Sequence, residues 1–292
     1  MRNLKLVFRA LGLAGLCILL SVGCSGGSGS SPSKGTVTLA LKDAPLTTSD
    51  GRPADAVNIE ILRIQLEHSE EETQETEEAE NPGQEDPNDE VTVFEASPGS
   101  GIKVNLLQLD VPMILAMAKA PPGVYEEVEL RLNPSNATIH FTDDGSTVPL
   151  LVDQEAEDEA ELEFELSPPL VVSASGSPTT VIDFAPIVVL DGTSYVLKHD
   201  HDHDETGPTE GETEVEVEGS FVRRDGDILE IDVNGSLVHV DISQALSFEI
   251  DDSSVTREQL LLALSPGVKF EAEGTLVEER LLAAEVEAKS HG

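Results

Sequence analysis

The chain contains no tryptophan, and its ten other aromatic residues, two Tyr and eight Phe, are few for 292 positions. That shortage makes a poor surface for stacking sugars or bases. Basic residues are scarce too, seventeen against fifty-seven acidic ones, for a formal charge of −40. A polyanion of this size repels nucleic acid, which is bound by Lys and Arg neutralising phosphates, and it repels anionic headgroups for the same reason. The only two cysteines, Cys17 and Cys24, lie near the start. Beyond residue 24 a disulfide framework, a thiolate zinc site and a cysteine nucleophile are therefore excluded. The longest apolar run near the start, Ala10 to Val22, has thirteen residues. A spanning helix needs about 20. No GxSxG elbow, HExxH, Walker loop or GxGxxG appears, and the one GxSxG string, Gly23-Cys24-Ser25-Gly26-Gly27, spans the cysteine near the start.

What the first residues do contain is an address. Arg2, Lys5 and Arg9 form a positive region ahead of the apolar run, as in a secretory signal. Ser21-Val22-Gly23-Cys24 resembles the bacterial lipobox, in which small residues precede an invariant cysteine. Ser21 departs from that pattern, where an aliphatic residue is commoner. The resemblance implies a signal peptide over 1–23 and acylation of Cys24, which anchors a protein stably when several chains are attached. Loss of the three positive residues would take −40 to −43. "SGGSGSSPSK" completes a Gly/Ser tether over 24–34 that holds a body off a surface. Ser25, where Asp signals inner-membrane retention in some bacteria, implies the outer membrane or cell surface.

The rest of the chain reads as mainly β. In "GTVTLALKDAP", Val37, Leu39 and Leu41 alternate with Thr38, Ala40 and Lys42, the mark of a half-buried strand. "AVNIEILRIQLE" repeats the pattern, and its phase shift after Ile61 predicts a bulge. The segment 67–90 holds twelve acids, no basic residue and no aliphatic larger than Ala79, so it is expected to be a disordered insertion. As a calcium sponge it lacks EF-hand spacing, since Val91 stands where glycine is needed. "DVPMILAMAKA" is expected as a short apolar helix, and Asp144-Gly145 as a hairpin turn. Many short strands with Gly/Pro turns imply a β-sandwich over 35–198.

A second β domain is expected over 213–289. Asp225-Gly226 and Asn234-Gly235 are hairpin signals. Thr256 with Gln259 forms a capping-box pattern for one short helix, which Pro266-Gly267 should stop. Phe221, Phe248 and Phe270 lie in strands and are expected in the core rather than on a base-stacking surface.

Two family resemblances follow from these residues. "GTVTLALKDAP", "VNLLQL", "PPGVYEEVELRL", "TTVIDFAP" and "YVLK" occur in the order of domain of unknown function 4382, and the first domain resembles that family. The likeness implies a β-sandwich and export, and brings no catalytic residues with it. The order of strands, helix and "GVKFEAEGTLVEERLLAAEVE" resembles domain of unknown function 5666. That implies a small OB-like barrel.

Between the domains lies a His/Asp-rich linker, 199–212, beginning "HDHDHDE". If the tract is extended, His199, His201 and His203 share one side, and Asp200, Asp202 and Asp204 the other. Neighbouring His are then about 6–7 Å apart, so two could share one ion, and a bend would bring in a third or an Asp. The candidate metal ligands are thus His199, His201, His203, Asp200 and Asp202. A solvated linker with weak affinity for divalent cations is the competing reading. No resident cofactor is expected. Taken together, the sequence implies a lipid-anchored, non-catalytic envelope protein. Its expected contacts are the membrane, through its lipid, and an envelope protein or polysaccharide, with no nucleic acid. Metal handling by the His/Asp tract, or hydrolysis by a site without a known motif, are the alternatives.

Overall fold

The computed structural model describes residues 34–43, 46–68, 90–109, 111–152, 160–199, 207–209, 213–277 and 279–289. Cys24, the tether up to Ser33, most of the acidic insertion and Asp200 to Thr206 lie outside them. Residues Pro32–Gly292 form one compact unit. The fold is mainly β, with one α-helix among the described residues.

The first half begins with β1 (Gly35–Asp43), β2 (Thr47–Thr48), β3 (Ala54–His68) and β4 (Glu90–Glu95). It continues through β5 (Ile102–Asn105), β6 (Met113–Ala120), β7 (Gly123–Leu132), β8 (Thr138–Phe141) and β9 (Thr147–Val152). It closes with β10 (Glu161–Val172), β11 (Thr179–Phe184), β12 (Pro186–Asp191), β13 (Ser194–His199) and β14 (Gly207–Thr209). One sheet runs β10-β7-β3-β8-β9-β13-β12-β2, with β4 and β5 also paired to β3. The facing layer is β14-β11-β1-β6. Inward residues of both layers, among them Val37, Leu39, Ile59, Ile64, Leu130, Phe164 and Phe184, share one core. This is the sandwich expected from alternation.

The second half contains β15 (Thr213–Asp225), β16 (Ile228–Val233), β17 (Ser236–Asp241), β18 (Ser247–Ile250) and β19 (Ser253–Ser254). After α1 (Arg257–Ala263) come β20 (Lys269–Val277) and β21 (Arg280–Lys289). Pairings run β15-β16-β17-β21-β20 and return to β15, so five strands close on themselves. Only the β17–β21 pairing in that ring is parallel. Closure removes the free edges that an open five-stranded sheet would expose. A second core fills the ring, including Val217, Phe221, Ile231, Val240, Phe270 and Leu281.

Local chemistry accounts for the turns. Asn234 and Gly235 both have positive φ, 52° and 90°, as a two-residue hairpin of this type requires. The capping box at Thr256 and Gln259 forms, and α1 sends Leu260 into the barrel core. Phe221 and Phe270 are buried there, and Phe248 is half-buried against the same core. The register of β3 against β7 shifts between Ile61 and Arg63, where the change of phase predicts a bulge.

Three expectations are corrected. "MILAMAKA" is strand β6, not a helix. Its alternate residues serve two cores: Met113 and Leu115 face the sandwich core, and Ile114 the barrel core. A strand buried on both faces reads as a continuous apolar run, which periodicity cannot separate from a buried helix. Likewise Thr38 and Ala40 of β1 are fully buried rather than solvent-facing. β1 is an inner strand, held by β6 on one edge and β11 on the other. Finally, the ends of the expected insertion, Glu67, His68 and Glu90, are strand residues, with Glu67 paired to Glu90. The expected linker also contains strand residues, since His199 ends β13 and Gly207–Thr209 within it pair with β11.

Candidate functional site

The sandwich and the barrel meet along β6. Glu216 of β15 pairs in parallel with Met113, and its amide donates to the Pro112 carbonyl at 2.9 Å. Asn234 donates from Nδ2 to the Leu115 carbonyl at 2.9 Å. On the other flank the Glu279 carboxylate accepts from Thr36, from Lys119 at 3.1 Å and from Ser177 at 3.3 Å. These hydrogen bonds hold the Glu279 carboxyl below its ordinary pKa.

Beside this seam opens a cleft of about 400 Å³. Its wall combines Lys103, Met113 and Ile114 of the sandwich with Glu218, Ser220, Asp232 and Lys269 of the barrel. Gly219 lets the β15 backbone come close, because a Cβ there would meet the Asp232 carbonyl oxygen at 2.4 Å. Two ammonium groups, two carboxylates and a hydroxyl give the cleft donors and acceptors in balance. That chemistry suits a polar ligand. The cleft lining holds Ser220, Glu218 and Asp232 but no Cys or His.

Outward faces of both sheets carry carboxylates in rows. In the sandwich, cross-strand register sets Glu165 (β10), Glu127 (β7), Glu67 (β3) and Glu90 (β4) side by side. The next row is Glu163, Glu129, Gln65 and Thr92. Like charges placed directly opposite repel. Burial, reinforced by Glu127, Glu129, Glu90 and Glu163, pushes the Glu67 carboxyl up to about 7. Burial, with Glu163 and Glu165 next, raises Glu127 too. Arg63 is engaged elsewhere, by Glu129 at 3.3 Å and Glu161 at 2.7 Å. On the barrel, Glu216, Glu273 and Glu285 form one row, and Glu218, Glu271, Glu287 and Glu249 another. Lys289 pairs with Glu271 and Glu287. Burial, with Glu271 and Glu218, pushes Glu216 up to about 7.

A different carboxylate is used as a clamp. Glu60 is only 1% exposed. Its Oε1 accepts from the amides of Gly99 at 2.6 Å and Gly101 at 2.9 Å. Its Oε2 accepts from the side-chain amides of Asn133, at 2.7 Å, and Asn136. Burial alone would raise its pKa, but these donors outweigh it and the carboxyl lies below the ordinary value.

Among the candidate metal ligands, His201, His203, Asp200 and Asp202 fall outside the described residues, as does Cys24, and only the backbone of His199 is placed, opposite Pro186. The described histidines lie apart. His68 stacks on Tyr125 at 4.2 Å, His140 bonds Asp55, and His239 is 3.7 Å from Glu230. Among the described residues no group of three His, Cys, Asp or Glu is gathered as a metal site, and no helix is long and apolar enough to cross a membrane. Sequence reasoning missed the carboxylate rows and Glu60. The rows do have a signal: glutamate at every second position in "ELEFELS", "EVEVEGS" and "KFEAEG". Nothing marks Glu60 except its place within "NIEIL".

Residues 34–199 match the family described as Domain of unknown function (DUF4382). Neither the curated proteins nor the solved structures contain a match. The matched span covers the sandwich from its first strand to the end of β13, more than half of the chain, and the protein belongs to the DUF4382 family.

Proposed function

We propose that this protein is a lipid-anchored, non-catalytic component of the bacterial envelope, at the outer membrane or cell surface, whose β body binds a partner. The observation that carries the location is Ser21-Val22-Gly23-Cys24 behind a basic and apolar leader. Acylation of Cys24 provides the attachment that a −40 chain could not obtain from anionic headgroups. Support for binding comes from the seam cleft, whose polar lining sets Lys103 and Lys269 beside Glu218 and Asp232. The ring closure of β15, β16, β17, β21 and β20, with α1 before β20, is what a domain resembling domain of unknown function 5666 would have. An envelope protein or a polysaccharide is the partner class, and a nucleic acid is disfavoured by charge.

With Cys24 acylated, a single introduced thiol would be unique in the mature chain. Ser220→Cys in the cleft, carrying a photo-crosslinker, should capture one envelope component on intact cells. Leu262→Cys on the exposed face of α1, 86% accessible, should not. Equal capture from both positions argues against the cleft. Turnover of an ester, glycoside or peptide by the purified protein, abolished by a point substitution, would refute the non-catalytic reading.

The second reading is metal handling by His199, His201 and His203 with Asp200 and Asp202, favoured by their strict alternation. Zinc titration of the wild type and of a triple His→Ala variant separates the two. Tight stoichiometric binding, lost in the variant, supports metal handling. Weak binding that fades in salt supports a solvated linker.

A further inference from the structure

The seam cleft is bordered by an open sheet edge. β5 is held along one side by β3, in the register Ile59↔Val104, Glu60↔Lys103 and Ile61↔Ile102. The Glu60 carbonyl faces away from β5, since it accepts from the Asn133 amide at 2.8 Å. Glu60 and Lys103 are therefore a non-hydrogen-bonded pair, and the N–H and C=O of Lys103 point out from the far side of β5. Among the described residues no strand pairs on that side, and Lys103 lines the cleft. On the opposite wall the backbone of Glu218 is also open. Phe221 faces β20, donating to the Val268 carbonyl at 2.8 Å, and Glu216 faces the other way, donating to Pro112. By alternation Glu218 turns from β20 as well. Neither β6, which bridges β15 only at Glu216, nor β16, whose pairing begins at Ser220, reaches it.

An unpaired strand edge is a template for another strand, in which main-chain hydrogen bonds give affinity and alternate side chains give specificity. The charges of the cleft say which side chain fits. Lys42, Lys119 and Lys289 all have carboxylate partners, whereas Lys103 and Lys269 form no ion pair among the described residues. Asp232 is already occupied, accepting from the Gly235 amide at 2.8 Å. Two unpartnered ammonium groups call for an acid. A residue set opposite Lys103 would put its side chain on the exposed face with that ammonium, where opposite charges attract. Its neighbours would point to the other face, with the buried Ile102. No aromatic ring lines the cleft among the described residues, so a sugar finds nothing to stack on.

We propose that the cleft takes a polypeptide, held as an extended strand on the free edge of β5, with an acidic side chain against Lys103 and an apolar one on each side of it. This rests on the cleft being the binding site, and it selects protein over polysaccharide as the partner.

The test uses the full acylated chain in detergent and the peptide Thr-Val-Glu-Val-Thr, amidated and labelled with fluorescein, with binding read by anisotropy. Binding should saturate, and N-methylation of the peptide's Glu should weaken it about tenfold by removing the donor to the Lys103 carbonyl. Wild type should prefer this peptide to Thr-Val-Lys-Val-Thr, and Lys103→Glu, at an exposed position, should reverse the preference. No saturable binding, equal binding of the N-methylated peptide, or a preference unchanged in Lys103→Glu overturns the proposal. The Ser220→Cys crosslink separates that failure from failure of the cleft itself. An adduct that resists protease but is broken by periodate would put a polysaccharide in the cleft, ending the peptide assignment and keeping the site. Capture no greater than from Leu262→Cys would end both.

Discussion

At the scale of single residues, Glu60 shows how a carboxylate can be a structural part in a chain crowded with solvent-facing ones. Its four donors come from two loops, 99–101 and 133–136, so one side chain fixes both. Glu60→Gln keeps the shape but points an amide at other amides. The buried site loses charge-assisted bonds and gains donors without acceptors, at a cost of about 2–4 kcal/mol in denaturant unfolding. A loss within about 0.5 kcal/mol would contradict the clamp. Because its folded pKa is depressed, its contribution is full above the unfolded value and is lost as pH falls through the folded one. Nothing in "NIEIL" announces any of this. A lone Glu in an apolar strand becomes a clamp only when two distant loops bring donors to it.

At the scale of elements, β6 is the wall between two cores, and Ile114, with Met117 packed on the same side, belongs to the barrel core. Ile114→Ala should cost about 2–5 kcal/mol and loosen the seam beside the cleft. An unchanged stability would mean that the barrel core does not depend on β6. The sequence misleads at this strand because both its faces are buried, which erases the alternation that exposes β10 or β15. The hairpins are legible for the opposite reason: Asn234-Gly235 meets a backbone requirement within two residues, without help from tertiary packing. The carboxylate rows belong here as well. Glutamates at alternate positions show that each strand has an acidic face. Only register shows that the acids of β3, β4, β7 and β10 stand in line.

On the barrel, Glu216 is raised to about 7 by burial and by Glu271 and Glu218. A carboxyl whose folded pKa lies above its unfolded one destabilises the fold at high pH. That penalty fades as pH falls through about 7 and is gone below the unfolded value of 4.5. The melting temperature should therefore rise from pH 8 to about pH 5, then fall as clamped carboxyls such as Glu60 protonate. In Glu216→Gln the rise should be smaller. A rise of the same size in that variant would show that burial of Glu216 is not its source.

At the scale of the whole molecule, charge, fold and the proposed anchor answer one another. Fifty-seven acids keep a β-rich body soluble, at a cost in self-repulsion that salt should relieve. The densest block, inside 67–90, connects strands already paired at Glu67 and Glu90. Deleting Ser69 to Asn88 should thus barely move the melting temperature, and a loss of several kcal/mol would show that the block packs. The central claim is attachment by lipid, and it rests on one atom, the Cys24 sulfur. The most direct test is to label cells with radioactive palmitate and fractionate them, comparing wild type with Cys24→Ala. Label on the wild type alone, with the variant released from membranes, is the predicted result. Equal labelling of both, or a variant that stays on the membrane, would contradict it.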